Sequence, residues 1–590
     1  MNVRFCIMPF VSLLIFVCVA CPAATLTQAD LDRGAVPKPG DEIILRDFSR
    51  LTPKDAMTTK SQRGKWWLRP YREKDGANHT MLMTVERDMQ NPETCIVPTV
   101  TYPLGLDGWY EVWIATYRGP YGGGVDVRVS NDDCFVHIDP QQVAFHAKRP
   151  KPRVGAIVEM NYKPCENLSG QSLLIRQPFG TYESWHWGRC DAALAYIRLV
   201  KLSDKEVAAF KADQARTDRR VIAYDDDNFS RYWMWGGESK EKVLRIFEPF
   251  RYHDVEFISL CLGVPGMLKV PSPYNIMYYN NGRRLGDKRM ATMYKDFVAK
   301  DIDFLNLAAE RAHKYGIKLL PGWRMSSGNG AARDKSLAKC YLKTTNRLDF
   351  AYPQVREYFV NTVRHVLENH DVDGFILNFT RHCVHFNPDE PNKEAHMNSL
   401  SADMRKMVDE VSKKKGKKLL LGASFSESHY VSGFLKYNLK IDVGPEERLK
   451  YQGINVADWV KNSYYDIIMP EGHHIEKYIE MTRGTTTKCY PRWEYHSTMY
   501  GPPVGANIHD PTPGEDKKDR AINPHNGPRD FEAGWLKLHD KGADGLFMFN
   551  NPMGWVSLRR MGHIDEVCRR VKAGEVYGVI EGPEIEFLQP

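Results

Sequence analysis

The sequence predicts two units of different class, an all-β sandwich followed by a (β/α)8 barrel, and three observations predict them. Short runs alternating apolar and polar residues fill the stretch from about residue 41 to residue 202, with no helix-period segment before Asp204. From Val221 onward eight apolar runs alternate with amphipathic helical stretches, the order of a parallel α/β protein. No G-x-G-x-x-G follows the first of these runs and no P-loop pattern occurs, which removes the main reason to prefer an open dinucleotide-binding sheet.

The chain opens with Met1-Asn2-Val3-Arg4-Phe5, an apolar run from Ile7 to Ala20 and the small-residue stretch Cys21-Pro22-Ala23-Ala24. That order predicts a secretory signal peptide over residues 1–24 and export to the periplasm or beyond. Cys21 as a lipid-anchored cysteine is the alternative, although Cys18 stands three residues before it where an aliphatic side chain is usual. No later stretch approaches membrane-spanning length, so no transmembrane segment is expected after the leader. Three of the 12 cysteines fall in the leader, and nine remain. Cys95, Cys134, Cys165 and Cys190 then form either one or two disulfides or a set of buried thiols. None of the spacings resembles a zinc knuckle, and neither a metal nor another cofactor is expected.

Residues 25–213 form the expected sandwich. Trp109 to Ala115, Val125 to Val129, Ser172 to Arg176 and Ala195 to Leu199 read as strands, separated by turn residues such as Gly122-Gly123-Gly124 and Asn131-Asp132-Asp133. Tyr182, Trp185 and Trp187 supply either a carbohydrate platform or core rings. A charged helical stretch, Ser203 to Arg220, leads into the barrel, residues 214–575, and residues 576–590 read as a C-terminal tail.

The eight barrel strands are Val221 to Tyr224, Val255 to Leu260, Ile317 to Pro321, Val372 to Asn378, Leu419 to Ala423, Asp466 to Pro470, Lys488 to Trp493 and Gly545 to Asn550. Helices are expected at Tyr294 to Tyr315, Gln354 to Glu368, Asn398 to Lys414 and Phe531 to Lys541. Active sites of such barrels sit at the carboxyl ends of the strands, which turns the strand list into a residue list. Glu494, Glu471 and Asp226 are the candidate catalytic carboxylates. Arg324, Arg381, Arg492, Trp323, Trp493, Asn378 and His382 are the candidate substrate contacts. Aromatic faces, guanidinium groups and paired carboxylates suit a sugar, and three arginines suit an acidic one. His473-His474 lacks a third ligand at a fixed spacing, and Asp225 to Asn228 lacks the spacing of a calcium loop, so no metal site is expected. The 81 basic and 74 acidic residues give +7 in 590 residues without a basic stripe, which disfavours a nucleic-acid partner.

The barrel half, roughly Tyr224 to Asn551, resembles the family 10-like glycosyl hydrolase barrels of bacterial exported proteins. The residues that carry the resemblance are Glu310 to Gly316 leading to Pro321-Gly322-Trp323-Arg324-Met325, then Leu348-Asp349-Phe350 before Val355-Arg356. Asp371-Val372-Asp373-Gly374-Phe375, Arg381, Phe386, Gly453 to Trp459 and Tyr490-Pro491-Arg492 continue it. The resemblance implies a barrel that handles polysaccharide fragments outside the cytoplasm, often with an accessory β-sandwich. It also exposes a departure: relatives of this kind carry Glu-Leu-Asp on the fourth strand, whereas this chain reads Ile376-Leu377-Asn378. An amide orients a sugar or a water but cannot donate a proton as a general acid. Three functions therefore stay open: a glycoside hydrolase, a degenerate barrel that binds carbohydrate without turnover, and a polysaccharide lyase using His382, Tyr495 or His496. Oligomeric state is not legible.

Overall fold

A computed structural model describes residues 23–84, 96–118, 122–138, 155–178, 191–226, 239–277, 285–326, 335–343, 345, 347–380, 384–427, 447–471, 474–492, 528–549 and 556–588. The class is mixed α/β. Eight parallel strands follow one another in chain order around a curled ring. They are Ile222–Asp226, Val255–Leu260, the two pieces Lys318–Leu319 and Gly322–Arg324, then Gly374–Asn378, Leu420–Ser426, Ile467–Glu471, Lys488–Cys489 and Leu546–Phe549. From the first to the seventh each pairs in parallel with the next, and the eighth pairs with the first, whereas no ladder joins the seventh to the eighth among the described residues. The third strand changes partner at its break, pairing with the second through Lys318–Leu319 and with the fourth through Gly322–Arg324. Single bridges, Cys261 to Gly322 and Arg492 to Phe547, complete the seams on either side.

Strands buried on both faces divide their side chains between two apolar clusters. Ala223, Phe257, Leu320, Ile376, Ile467, Met469, Tyr490 and Phe547 fill the inside of the ring. Ile222, Tyr224, Ile258, Trp323, Leu377, Phe425 and Ile468 face outward into the larger cluster shared with the helices. Each helix buries one stripe: Pro353–Asn369, for example, turns Val355, Phe359, Val363 and Val366 to the strands. The single helix expected over Tyr294 to Tyr315 is two, Leu285–Ala299 and Phe304–Lys314. Asp301 takes a positive φ of 52°, which stops the first helix, and Asp303 caps the second by accepting from the backbone N–H groups of Leu305 and Asn306.

The amino-terminal end of the ring is closed by charge. Glu256 accepts from Lys318 at 2.8 Å and from the Tyr490 hydroxyl, with Lys488 at 3.6 Å. Burial alone would raise the Glu256 pKa, but the bonds from Lys318 and Tyr490 outweigh it and hold the value low. Asp373 plays a similar part at the foot of the fourth strand, accepting from the Leu319 N–H at 2.8 Å, His313 at 2.7 Å and Lys417 at 2.9 Å. Gly374 follows because a Cβ there would stand 2.1 Å from the Leu420 carbonyl oxygen of the neighbouring strand.

The amino-terminal half holds an eleven-stranded mixed sheet and a four-stranded antiparallel sheet, and one apolar cluster takes residues from both. Trp109–Arg118, Val125–Val129, Ser172–Arg176 and Tyr196–Lys201 lie where the alternation places strands. Cys134 and Cys165 are buried free thiols, so neither takes part in the disulfides considered above; Cys95, Cys190, the rings Tyr182, Trp185 and Trp187, and residues 1–22 of the leader lie outside the described residues. Among the described residues no helix is long and apolar enough to cross a membrane.

The expected C-terminal tail is a strand. Val579–Phe587 runs antiparallel between Gly155–Asn167 and Trp66–Glu73 in the middle of the large sheet. Glu584-Ile585-Glu586-Phe587 carries the two-residue alternation, but Gly582-Pro583 interrupts it, and its partners lie hundreds of residues away in sequence. The amino-terminal unit is thus built from both ends of the chain.

His563 ties the two halves. Its Nδ1 lies 3.1 Å from Asp254, beside the ring, and its Nε2 lies 2.7 Å from Asp213, on the helix Asp204–Ala215 that leaves the large sheet. Burial opposes protonation, yet the two carboxylates prevail and raise the imidazole above its ordinary 6.5. A raised folded-state value means that this stabilisation is complete below 6.5 and is lost as pH climbs through the raised one. The wild-type melting temperature should therefore fall between about pH 6 and pH 9 by more than that of His563→Gln, as read by thermal unfolding across pH. Parallel curves would remove His563 as the titrating tie.

Candidate active site

The alternation that fills the ring with Ala223, Phe257, Ile376, Met469 and Tyr490 also fixes what lies one step beyond them. Two residues on, at the carboxyl end, the inward positions are Asp225, Ser259, Asn378, Glu471 and Arg492, with Gly322 and Arg324 from the third strand and Ser424 and Ser426 from the fifth. Asp225 is 2% exposed and Glu471 6%, so the two carboxylates sit inside the protein rather than on its surface. Glu471 pairs with Arg492, Nη1 to Oε2 at 2.6 Å. The short charge-assisted bond presents Glu471 as an acceptor and fixes the guanidinium beside it.

Asn378 bonds two partners, and its orientation follows from what they can give. Its Oδ1 accepts from the Thr380 backbone N–H at 3.0 Å and from the Thr380 hydroxyl at 2.6 Å, and a backbone N–H can only donate. The amide nitrogen therefore faces Asp225 and donates to its Oδ2 at 3.3 Å. The fourth strand thus offers Asp225 a neutral hydrogen-bond donor rather than a second acid. The hydroxyls of Ser259 and Ser424 are buried without a hydrogen-bond partner among the described residues. Gly322 leaves the space in front of Ser259 open, since a Cβ there would lie 2.6 Å from the hydroxyl oxygen. Unsatisfied hydroxyls on the inner face are suited to a water or a substrate hydroxyl.

The structure corrects two assignments. Asp226, expected as a catalytic carboxylate, shares its parity with Ile222 and Tyr224 and falls on the outer face, whereas Asp225 shares the inner face with Ala223. Trp323, expected as a substrate contact, is fully buried on the helix side, its ring 4.8 Å from Phe359 and 5.8 Å from Tyr358. A ring with no exposed face cannot stack on a sugar. Trp323→Ala should cost about 3–5 kcal/mol in chemical denaturation through the cavity it opens, while Trp323→Phe should cost under about 1.5 kcal/mol. An alanine variant of wild-type stability would contradict this placement.

Glu471, Arg324, Arg492 and Asn378 are brought to the same end of the ring, while Glu494, Arg381, His382 and Trp493 lie outside the described residues. Glu427 stands on the outer side, bonded to His474 at 3.0 Å and to the Tyr478 hydroxyl. Among the described residues no group of three or more metal-ligating side chains occurs. Asp225 and Ser424, which the sequence places at strand ends, and Ser259 are inner-face residues that are not among the chosen catalytic or substrate-binding candidates. The run Val221-Ile222-Ala223-Tyr224 is apolar at every position, so nothing in it marks which parity faces inward.

No family model and no curated protein matches the sequence. Solved structures similar to it include the PgaB (BpsB) glycoside hydrolase domain from Bordetella bronchiseptica, at 8% identity over 60% of this chain and 98% of that one, TM-score 0.34. An α-amylase from Geobacillus thermoleovorans complexed with acarbose is similar at 13% identity over 60% and 78%, TM-score 0.29. A glycoside hydrolase family 18 N-acetylglucosaminidase from Paenibacillus barengoltzii is similar at 12% over 46% and 68%, TM-score 0.27. Likenesses at such TM-scores carry no argument for the fold, which rests on the strand pairing itself.

Proposed function

We propose that the chain is an exported carbohydrate-acting protein of the glycoside hydrolase kind, a (β/α)8 barrel with an accessory β-sandwich, whose substrate is an acidic polysaccharide or oligosaccharide. The observation that supports it most is the pair of buried carboxylates, Asp225 and Glu471, on the inner face at the carboxyl ends of the strands with Arg324 and Arg492. In this reading Asp225, facing the Asn378 amide, and Glu471, held as an acceptor by Arg492, work as base or nucleophile, and the arginines hold the acidic groups of the sugar. Glu494, two residues beyond Arg492, is the candidate proton donor.

Binding without turnover is the second reading, favoured by the ion pair that occupies Glu471 and by the amide at Asn378. A product assay on neutral and anionic polysaccharides separates them, run for wild type, Asp225→Asn and Glu494→Gln. New reducing ends that vanish in Asp225→Asn support hydrolysis. Unsaturated products support a lyase, and affinity without products supports the binding barrel.

A further inference from the structure

The large amino-terminal sheet turns one face to the smaller sheet and leaves the other to a separate apolar cluster around Tyr71, Met81, Ile157, Tyr196 and Ile585. On the strand Trp66–Glu73, Trp66 and Leu68 belong to the first face, so Trp67, Arg69 and Tyr71 share the second. The guanidinium of Arg69 lies over two rings there, 3.7 Å from the Phe587 centroid and 4.8 Å from that of Trp67. Tyr117 meets Phe587 edge-on at 5.0 Å, and its ring lies against Gly155, where a Cβ would stand 2.0 Å from it.

The other arginines of this face are neutralised. Arg46 pairs with Glu73 at 3.1 Å and Arg198 with Glu159 at 2.6 Å. Arg69 has no carboxylate within ion-pair reach among the described residues, and its buried Nε has no hydrogen-bond partner. Burial pulls its pKa down, as an uncompensated cation requires. Contact with two rings steadies the planar fork without using its N–H donors.

We propose that Arg69, with Trp67 and Phe587, forms a second binding site on this face for the carboxylate or sulfate of an acidic saccharide. The oxyanion answers the unpaired guanidinium, which takes two oxygens side by side, and the flanking rings meet the apolar faces of the sugar. That a saccharide carries the oxyanion rests on the carbohydrate reading of the barrel; the oxyanion itself does not.

The test uses the full chain and modification of Arg69 by phenylglyoxal, followed by peptide mass mapping. A carboxylated oligosaccharide (oligogalacturonate), a sulfated one, a neutral one, acetate and inorganic sulfate are the added ligands. At least one acidic oligosaccharide should slow modification of Arg69 by on the order of tenfold or more, and the neutral one should not. The carboxylated and sulfated arms tell the two sources apart. Calorimetry on Arg69→Gln should show affinity for that ligand weakened on the order of 10- to 100-fold with thermal unfolding unchanged. An unchanged modification rate with every ligand overturns the site, and equal protection by acetate or sulfate overturns its saccharide specificity. Should Arg69→Gln fail to fold, the protection measurement on wild type still decides. Product formation is not the readout, so an inactive barrel and an empty Arg69 site are separate outcomes.

Discussion

Glutamine in place of Glu471 should lower turnover of an oligosaccharide substrate by on the order of 10²- to 10⁴-fold, the usual weight of a positioned acid or base. The carboxylate is 6% exposed and 2.6 Å from Arg492, so the substitution removes a charge that the guanidinium was placed to meet. The amide oxygen still accepts a bond from Arg492, which keeps the expected stability loss near 1–3 kcal/mol rather than the 3–5 kcal/mol of a buried ion left unpaired. Steady-state kinetics separates two roles for the side chain. If Glu471 takes part in the chemistry, kcat collapses with KM little changed. If it only anchors Arg492 against an acidic sugar, KM rises and kcat stays near wild type. The second pattern would remove Glu471 from the catalytic set.

Truncation after Gly578 should abolish folding of the amino-terminal unit. Val579–Phe587 sits between Gly155–Asn167 and Trp66–Glu73, and removing it parts the eleven-stranded sheet. Val579 and Ile585, 8% and 5% exposed, are each worth about 1.5–3 kcal/mol of burial, and the ladder bonds on both sides go with them. Two bare strand edges then invite pairing between chains. Soluble yield and protease cleavage within 155–167 report the loss, and a synthetic 579–588 peptide should restore part of it. A truncated chain that melts with wild type would show that this strand contributes little.

The eight ring strands were legible because a parallel strand buried on both faces reads as a short apolar run, and the runs at Val255 to Leu260 and Val372 to Asn378 fall within two residues of the observed strands. That same uniformity hid the site. With no alternation in Val221 to Tyr224, sequence could not tell whether Asp225 or Asp226 faces inward, and a register shift between Ile222 and Ala223 makes counting along the neighbouring strand unsafe. Arg492 and Glu471 were found as end-of-strand residues, but their pairing was not, because it depends on two strands standing side by side.

By itself the sequence determined the order of elements, the change of period near residue 203 and the set of polar residues at strand ends, all of which are local properties. Only the tertiary structure decided which face each residue occupies, that Trp323 belongs to the helix side and that the last strand completes the first sheet. Those outcomes depend on pairing between segments far apart in the chain, and side-chain periodicity within one segment carries no record of its partner.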